Sequence, residues 1–291
     1  MAVPLILDTD IGTDVDDALA LAFALRHSGI ELRAVTTVAD DVVKRAHIAT
    51  KLLRIAGRED VPVAPGVGWT EPPAGRRSWF GHEGKDLLDE SDRFPEFERD
   101  AVSLLLETGD TELATVGVQS NIAAALDRDP GFASRIPRLH VMGGVFEAIA
   151  DRHWGEHNLS VDPDASLRAL NAGIPTRYTP LNVTLGAPLL RSHLEALRGG
   201  DELCRALARL VDIWAAFVGY KDDTVALLHD PLAVAAAVDE RFVTIEQRSV
   251  RIALVDGVVR PVFDDDGRPC EVVTSADAAA FADFWLETVT G

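Results

Sequence analysis

The chain has 291 residues, 47% of them hydrophobic, and a formal net charge of −19 from 47 acidic and 28 basic side chains. That length and apolar content support a sizeable core and argue against disorder, while the charge would repel nucleic-acid polymers. No run approaches the roughly 20 apolar residues of a membrane helix, no signal-peptide pattern is read at the N-terminus, and Cys204 and Cys270 alone suggest neither a disulfide framework nor a thiolate zinc site. The expectation is a cytoplasmic protein that engages neither membrane nor nucleic acid and takes a neutral small molecule.

Taken in chain order, the apolar runs at 5–7, 32–38, 113–118 and 139–142 read as buried strands. Each runs into small or polar residues: an acidic loop, Ala39-Asp40-Asp41, Gln119-Ser120-Asn121, and Gly143-Gly144. Helical patterns lie between them. One spans 43–56 and stops at Gly57, a fitting C-cap, and a shorter one spans 121–126 and stops near Pro130. The proline- and glycine-rich stretch 62–84 reads as a long loop. Further on, 201–218 is amphipathic, with Leu203, Leu207, Leu210, Val211 and Trp214 at helical spacing. Residues 248–262 read as a hairpin turning at Asp256-Gly257, and 278–288 as a terminal helix. Strands alternating with helices imply βαβ crossovers. The fold class is therefore α/β: an open, mainly parallel, Rossmann-like central sheet flanked by helices. Without a repeat or a linker, 1–291 reads as one domain.

The acidic loop carries most of the chemistry. Asp8, Asp10, Asp14, Asp16 and Asp17 place five carboxylates within ten residues, directly after the first apolar run. Carboxylates this close repel one another unless a cation holds them, and open α/β sheets bind ligands at the carboxyl ends of their strands. Three chemistries use such loops. An EF-hand wants glycine at the sixth position and glutamate at the twelfth; counting from Asp8 gives Thr13 and Leu19, so that reading fails. An aspartyl phosphotransferase also uses paired aspartates after a first strand, but its lysine-bearing helix and later acidic pair find no clear counterpart. The third is a calcium-dependent hydrolase.

The segment Asp8-Thr9-Asp10-x-Gly12-x-Asp14-x-Asp16-Asp17-Ala18 resembles the N-terminal signature of the nucleoside hydrolases, the nucleoside N-ribohydrolases. The resemblance continues through Ala34-Val35-Thr36-Thr37-Val38, Asn121-Ile122-Ala123, Val141-Met142-Gly143-Gly144, Glu156-His157-Asn158 with Asp162-Pro163, and His229-Asp230-Pro231, in family order over most of the chain. It implies the nucleoside hydrolase fold and calcium-dependent cleavage of the N-glycosidic bond of ribonucleosides, giving ribose and a free purine or pyrimidine base. It also implies a homodimer or homotetramer.

By motif, the resemblance implies that Asp10, Asp17, the Val116 carbonyl and Asp230 hold calcium, with Asp10 also the general base that takes a proton from water. The reaction passes through an oxocarbenium-like state, which an anionic pocket stabilises. Asp16, Glu156 and Asn158 would hold the ribose, and Met142 would line its site. His229, beside Asp230, would supply the proton for the leaving base. His82 in the long loop and Asp41 are further substrate-side candidates. Trp79, His153, Trp154, Phe217 and Tyr220 are candidates to stack on the base.

The chain departs from the family pattern in three places. The first aspartates and the Asp16-Asp17 pair lie two residues further apart than in many members, which leaves Asp14 without an assignment. Asp41 stands near the place where many members carry a sugar-contacting asparagine. Ala150 stands where some have another, so either the pocket holds a modified ribose or Asp151 or Arg152 substitutes. Two other readings compete: a non-catalytic calcium-dependent nucleoside-binding protein, disfavoured because a binder needs neither Asp10 as base nor His229 as acid, and a metal-dependent phosphatase.

Overall fold

The computed structural model describes residues 2–72, 79–94, 96–146, 156–255 and 258–291. β1 (Val3–Thr9) is followed by α1 (Asp16–Arg26), β2 (Ile30–Thr37), α2 (Val42–Ile55), β3 (Val63–Pro65) and α3 (Ala101–Glu107). Next come β4 (Glu112–Thr115), α4 (Ser120–Arg128), α5 (Phe132–Arg135), β5 (Leu139–Met142), α6 (His157–Ser160) and α7 (Pro163–Asn171). Then follow β6 (Thr176–Thr179), α8 (Leu181–Thr184), β7 (Pro188–Leu190), α9 (Arg191–Gly199), α10 (Glu202–Val218) and β8 (Thr224–Leu227). The chain closes with α11 (His229–Ala235), β9 (Val243–Val255), β10 (Val258–Phe263), β11 (Arg268–Ala276) and α12 (Ala278–Thr290).

One sheet runs β10-β9-β11-β6-β5-β4-β1-β2-β3. From β3 to β11 the neighbours are parallel, and β9 and β10 add an antiparallel edge. Leu5 and Leu7 point into one core and Ile6 into the other, so both faces of β1 are covered and its sequence is apolar throughout. The chain moves outward from β1 to β3, then returns on the other side of β1 as β4. The carboxyl ends of β1 and β4 therefore flank a topological switch point, where open α/β sheets form their binding crevice.

The expected α/β class, with its mainly parallel sheet, is what the chain forms. Gly57 has φ 68°, so it closes α2 in the left-handed region as a C-capping glycine does. Several aspartates are helix N-caps: Asp41, Asp100, Asp162, Asp201 and Asp277 each accept a backbone N–H from the first turn of the helix that follows. The 62–84 stretch is not all loop, because β3 pairs with β2 at the sheet edge. The 113–118 run leaves the sheet early, at Thr115, because Gly117 turns the chain against β1. A Cβ at Gly117 would lie 2.9 Å from Asp10 N and Oδ1, so only glycine permits that approach. The hairpin strands pair as expected, while the Asp256-Gly257 turn lies outside the described residues. Among the described residues, no helix is long and apolar enough to cross a membrane.

Candidate active site

The acidic loop is held from below by one cation. Arg45 falls on the buried stripe of α2 and is fully buried. Its Nε donates to the Ala39 carbonyl at 3.0 Å, and its Nη1 donates to the Ile11 carbonyl at 3.0 Å and to that of Asp10. Its Nη2 donates to Asp40 at 3.2 Å. The guanidinium thus fixes backbone, and its charge partly offsets the rise of the Asp17 carboxyl. Gly12 turns the loop at φ 118°, a conformation that side chains resist. Thr9 Oγ1 accepts the Ile11 N–H at 3.1 Å and donates to the Asp17 carboxylate.

α1 begins at Asp16 and packs along α11, which begins at His229. This pairing brings Asp16, Asp17 and Asp230 together. They are 4%, 3% and 2% exposed, and one carboxylate oxygen of each lies within 4.8 Å of the other two. Burial raises all three well above the usual carboxylate range, and the neighbouring carboxylates raise them further. Burial likewise lifts the Asp14 carboxyl to about 7, against hydrogen bonds from the Val15 and Asp16 backbone. A divalent cation would remove that mutual repulsion, and an all-oxygen donor set suits a hard ion such as calcium or magnesium.

Above the cluster opens a cavity of about 510 Å³. Asp10, Asp14, Asp16, Asp17, Val116 and Asp230 line its floor, and Met142, Glu156, His157, Asn158 and His229 its sides. Phe80, Leu181, Leu185, Trp214, Val218, Tyr220 and Leu227 form an apolar wall. The cavity lining therefore combines acidic groups with apolar and aromatic ones that suit a flat, weakly polar group.

Residues 156–158 serve the cavity by building its side. The Glu156 carboxylate accepts backbone N–H groups from Gly144 at 2.8 Å, Asn158 at 2.5 Å and Leu159 at 3.0 Å, so it caps α6 and ties that helix to the end of β5. Burial still raises its carboxyl, against those three bonds. Asn158 Nδ2 donates to the Val116 carbonyl at 2.6 Å and the Met142 carbonyl at 3.1 Å, bracing the ends of β4 and β5. A carbonyl oxygen has two lone pairs, so Val116 can accept that bond and still face an ion. His229 Nδ1 lies 2.7 Å from Thr184 Oγ1.

Two expected substrate-side residues stand apart from this cavity. Asp41 is exposed and caps α2, accepting the Lys44 N–H at 3.0 Å; it borders a separate open cleft with Trp69 and Trp79. His82 borders a separate small pocket with Gly12, Thr13 and Asp14 of the acidic loop. Its Nε2 is 2.8 Å from the Thr13 carbonyl, and its ring packs on Phe217 at 4.8 Å and Trp214 at 6.0 Å. Trp79 sits over Lys44 and Arg45. Phe217 packs on Phe80 at the cavity mouth, and Tyr220 lines the cavity itself. Ala150, Asp151, Arg152, His153 and Trp154 lie outside the described residues.

Asp8 has a structural place. It is fully buried and accepts from Thr36 Oγ1 at 2.6 Å and Asn121 Nδ2 at 2.7 Å, with burial pushing its carboxyl up to about 7. Asn121 Oδ1 also accepts the Val67 N–H at 2.8 Å, so this network knits the ends of β1, β2 and β3. Two residues escaped the sequence reading. Arg45 carried a signal, a charge on the apolar stripe of an amphipathic helix. His157 lies between Glu156 and Asn158, and the motif gives it no role of its own.

The model of the inosine-uridine preferring nucleoside hydrolase family matches residues 5–283. The chain is 31% identical over 270 residues to the pyrimidine-specific ribonucleoside hydrolase RihA of Salmonella arizonae, covering 85% of this chain and 83% of that protein. Among solved structures it is similar to a plant nucleoside hydrolase, with a TM-score of 0.85 and 26% identity over 99% of this chain and 98% of the other. The purine-preferring ribonucleoside hydrolase from Gardnerella vaginalis gives the same TM-score of 0.85 at 26% identity, over 99% of this chain and 98% of that one.

Proposed function

This chain belongs to the inosine-uridine preferring nucleoside hydrolase family, an enzyme class that hydrolyses the N-glycosidic bond of nucleosides, and from that premise we propose that it is a calcium-dependent ribonucleosidase releasing ribose and a free purine or pyrimidine base. The single observation that carries the calcium reading is the buried Asp16, Asp17 and Asp230 cluster at the floor of the cavity, whose oxygens converge within 4.8 Å.

Asp10, Asp17, Asp230 and the Val116 carbonyl would hold the ion. Asp16 shares the cluster, so it can offer one oxygen to the ion and the other to a sugar hydroxyl. When bound, calcium acidifies water and chelates a vicinal diol, which favours ribose over 2′-deoxyribose. Asp10 takes the proton from the attacking water at the acidic end of the cavity. Positive charge then grows on the sugar, and the surrounding carboxylates stabilise it. The Phe80, Trp214 and Tyr220 wall receives the base, and His229 protonates it as it leaves. The same carboxylates repel a 5′-phosphate, so nucleosides are accepted over nucleotides. Glu156 and Asn158 contribute by fixing the cavity wall and aiming the Val116 carbonyl.

The test is a panel of purine and pyrimidine ribonucleosides assayed for reducing sugar with calcium, with magnesium and with chelator. Release in calcium that chelation abolishes supports the reading. Release that chelation leaves unchanged overturns its calcium part, and phosphate release from nucleotides with no action on nucleosides overturns all of it.

A further inference from the structure

We propose that His157 orients Asp10, with its ring Nε2–H directed at Asp10 Oδ2. The proposal rests on the reading of Asp10 as the base. His157 Nε2 lies 3.7 Å from Asp10 Oδ2, and it is buried without a hydrogen-bond partner among the described residues. A buried ring nitrogen left unsatisfied is unfavourable, and the carboxylate it faces at that distance among the described residues is the group that must be aimed.

The surroundings of both residues make the contact specific. His157 is the first residue of α6, and the backbone on its two sides is pinned: Glu156 caps the turn, and Asn158 clamps the Val116 and Met142 carbonyls. The ring therefore hangs from a fixed point on the cavity wall. On the other side, Asp10 Oδ1 rests against Gly117, where a Cβ would approach to 2.9 Å. Closing 3.7 Å to an ordinary N–H···O length of about 2.9 Å needs less than about 1 Å of side-chain motion. An aspartate used as a base has two equivalent oxygens and a soft terminal torsion. A donor on Oδ2 removes that freedom and leaves Oδ1 to face ion and water. His157 is a positioning residue in this scheme, since it acts through Asp10.

The test uses His157→Phe, which keeps an aromatic ring and loses the donor, and His157→Gln, which keeps an amide N–H. Kinetics are read on a ribonucleoside that the wild type cleaves, calcium affinity by calorimetry, and ring-nitrogen chemical shifts by NMR in the wild type and in Asp10→Asn. The expected result is a kcat lowered about 10- to 100-fold in His157→Phe, with KM and calcium affinity within about twofold and most of kcat restored in His157→Gln. The His157 ring should be the Nε2–H tautomer, with its resonance moved by Asp10→Asn. Full kcat in His157→Phe, equal losses in both variants, or an Nδ1–H ring indifferent to Asp10→Asn would each overturn the proposal. If the wild type cleaves no ribonucleoside, the functional reading falls, and the tautomer by itself decides whether the contact exists.

Discussion

The loop after β1 and the turn that opens α6 meet across one cavity, and their polar groups are in opposite states. In the α6 turn, Glu156 accepts three backbone N–H groups and Asn158 serves two carbonyls. Those side chains are committed to holding the wall. In the β1 loop, Asp16 and Asp17 crowd against Asp230, and their carboxyls are raised because burial and one another's charge disfavour ionisation. Their contacts with one another are unfavourable until something positive arrives. Both loops contribute acidic residues to one pocket, yet one stores stability and the other stores affinity for a cation.

The largest effect should come from the one carboxylate assigned to chemistry. Asp10→Asn should lower kcat by about 10²- to 10⁴-fold while thermal unfolding stays cooperative at an unchanged or higher midpoint, since one repelling charge is gone. A near-normal kcat would dissolve the distinction between a base and its neighbours.

Glu156→Ala tests the committed side. It leaves three buried N–H groups without an acceptor, so it should cost about 3 kcal/mol or more in urea denaturation. Turnover should fall as well, because Asn158 and the Val116 carbonyl lose their anchor. If stability were untouched while binding of substrate collapsed, Glu156 would belong with the sugar contacts that the family resemblance assigns to it.

How much of this was legible in the sequence depended on how local the cause was. The parallel strands showed because a strand buried on both faces must be apolar, as Leu5, Ile6 and Leu7 are. β6 did not show, because Thr176–Thr179 carries Arg177 in its middle. That arginine is buried because distant residues answer it: Glu240 at 2.6 Å, Glu271 at 2.7 Å and the Ala236 carbonyl. The carboxylate cluster was visible as density of charge, and Asp230 through its motif. The division of Glu156 and Asn158 between wall and substrate was not, because it depends on where three strand ends fall. Asp41 read as a sugar contact because it follows β2; the structure makes it a helix cap facing a different cleft.

The uncommitted side has the opposite signature in stability. Asp230→Asn should raise the stability of the calcium-free protein by about 1–2 kcal/mol at neutral pH, by removing one charge from a buried like-charge group, and should abolish stabilisation by calcium. The pH dependence has a definite sign. Asp8 and Asp14 are raised from 3.8 to about 7, and Asp16, Asp17 and Asp230 are raised as well. Across that window the folded state holds more protons than the unfolded one. The contribution of Asp8 and Asp14 is therefore fully present below about pH 4 and is lost as pH rises through about 7, and that of Asp16, Asp17 and Asp230 is lost in the same direction as pH rises. Denaturation of the chelated protein at pH 5 and pH 7.5 should show that loss, and calcium should restore the share that Asp16, Asp17 and Asp230 carry. Equal stability at both pH values without calcium would mean the cluster is not strained.

The smallest effect concerns the far wall, where Thr184 and His229 meet. If the Thr184 hydroxyl donates to Nδ1, the His229 proton sits on Nε2 and can pass to a leaving base. Thr184→Val keeps the side-chain shape and removes that donor, so a share of the rings takes the wrong tautomer. The expected loss is about two- to fivefold in kcat for ribonucleosides, set against roughly 10²-fold or more for His229→Ala. A p-nitrophenyl riboside separates this from a packing defect, because its phenolate departs without a proton. Both variants should cleave it at the wild-type rate. If Thr184→Val slowed the two substrates alike, the Thr184–His229 contact would be part of the wall, as Glu156 is, and the acid would have to be sought elsewhere around the cavity.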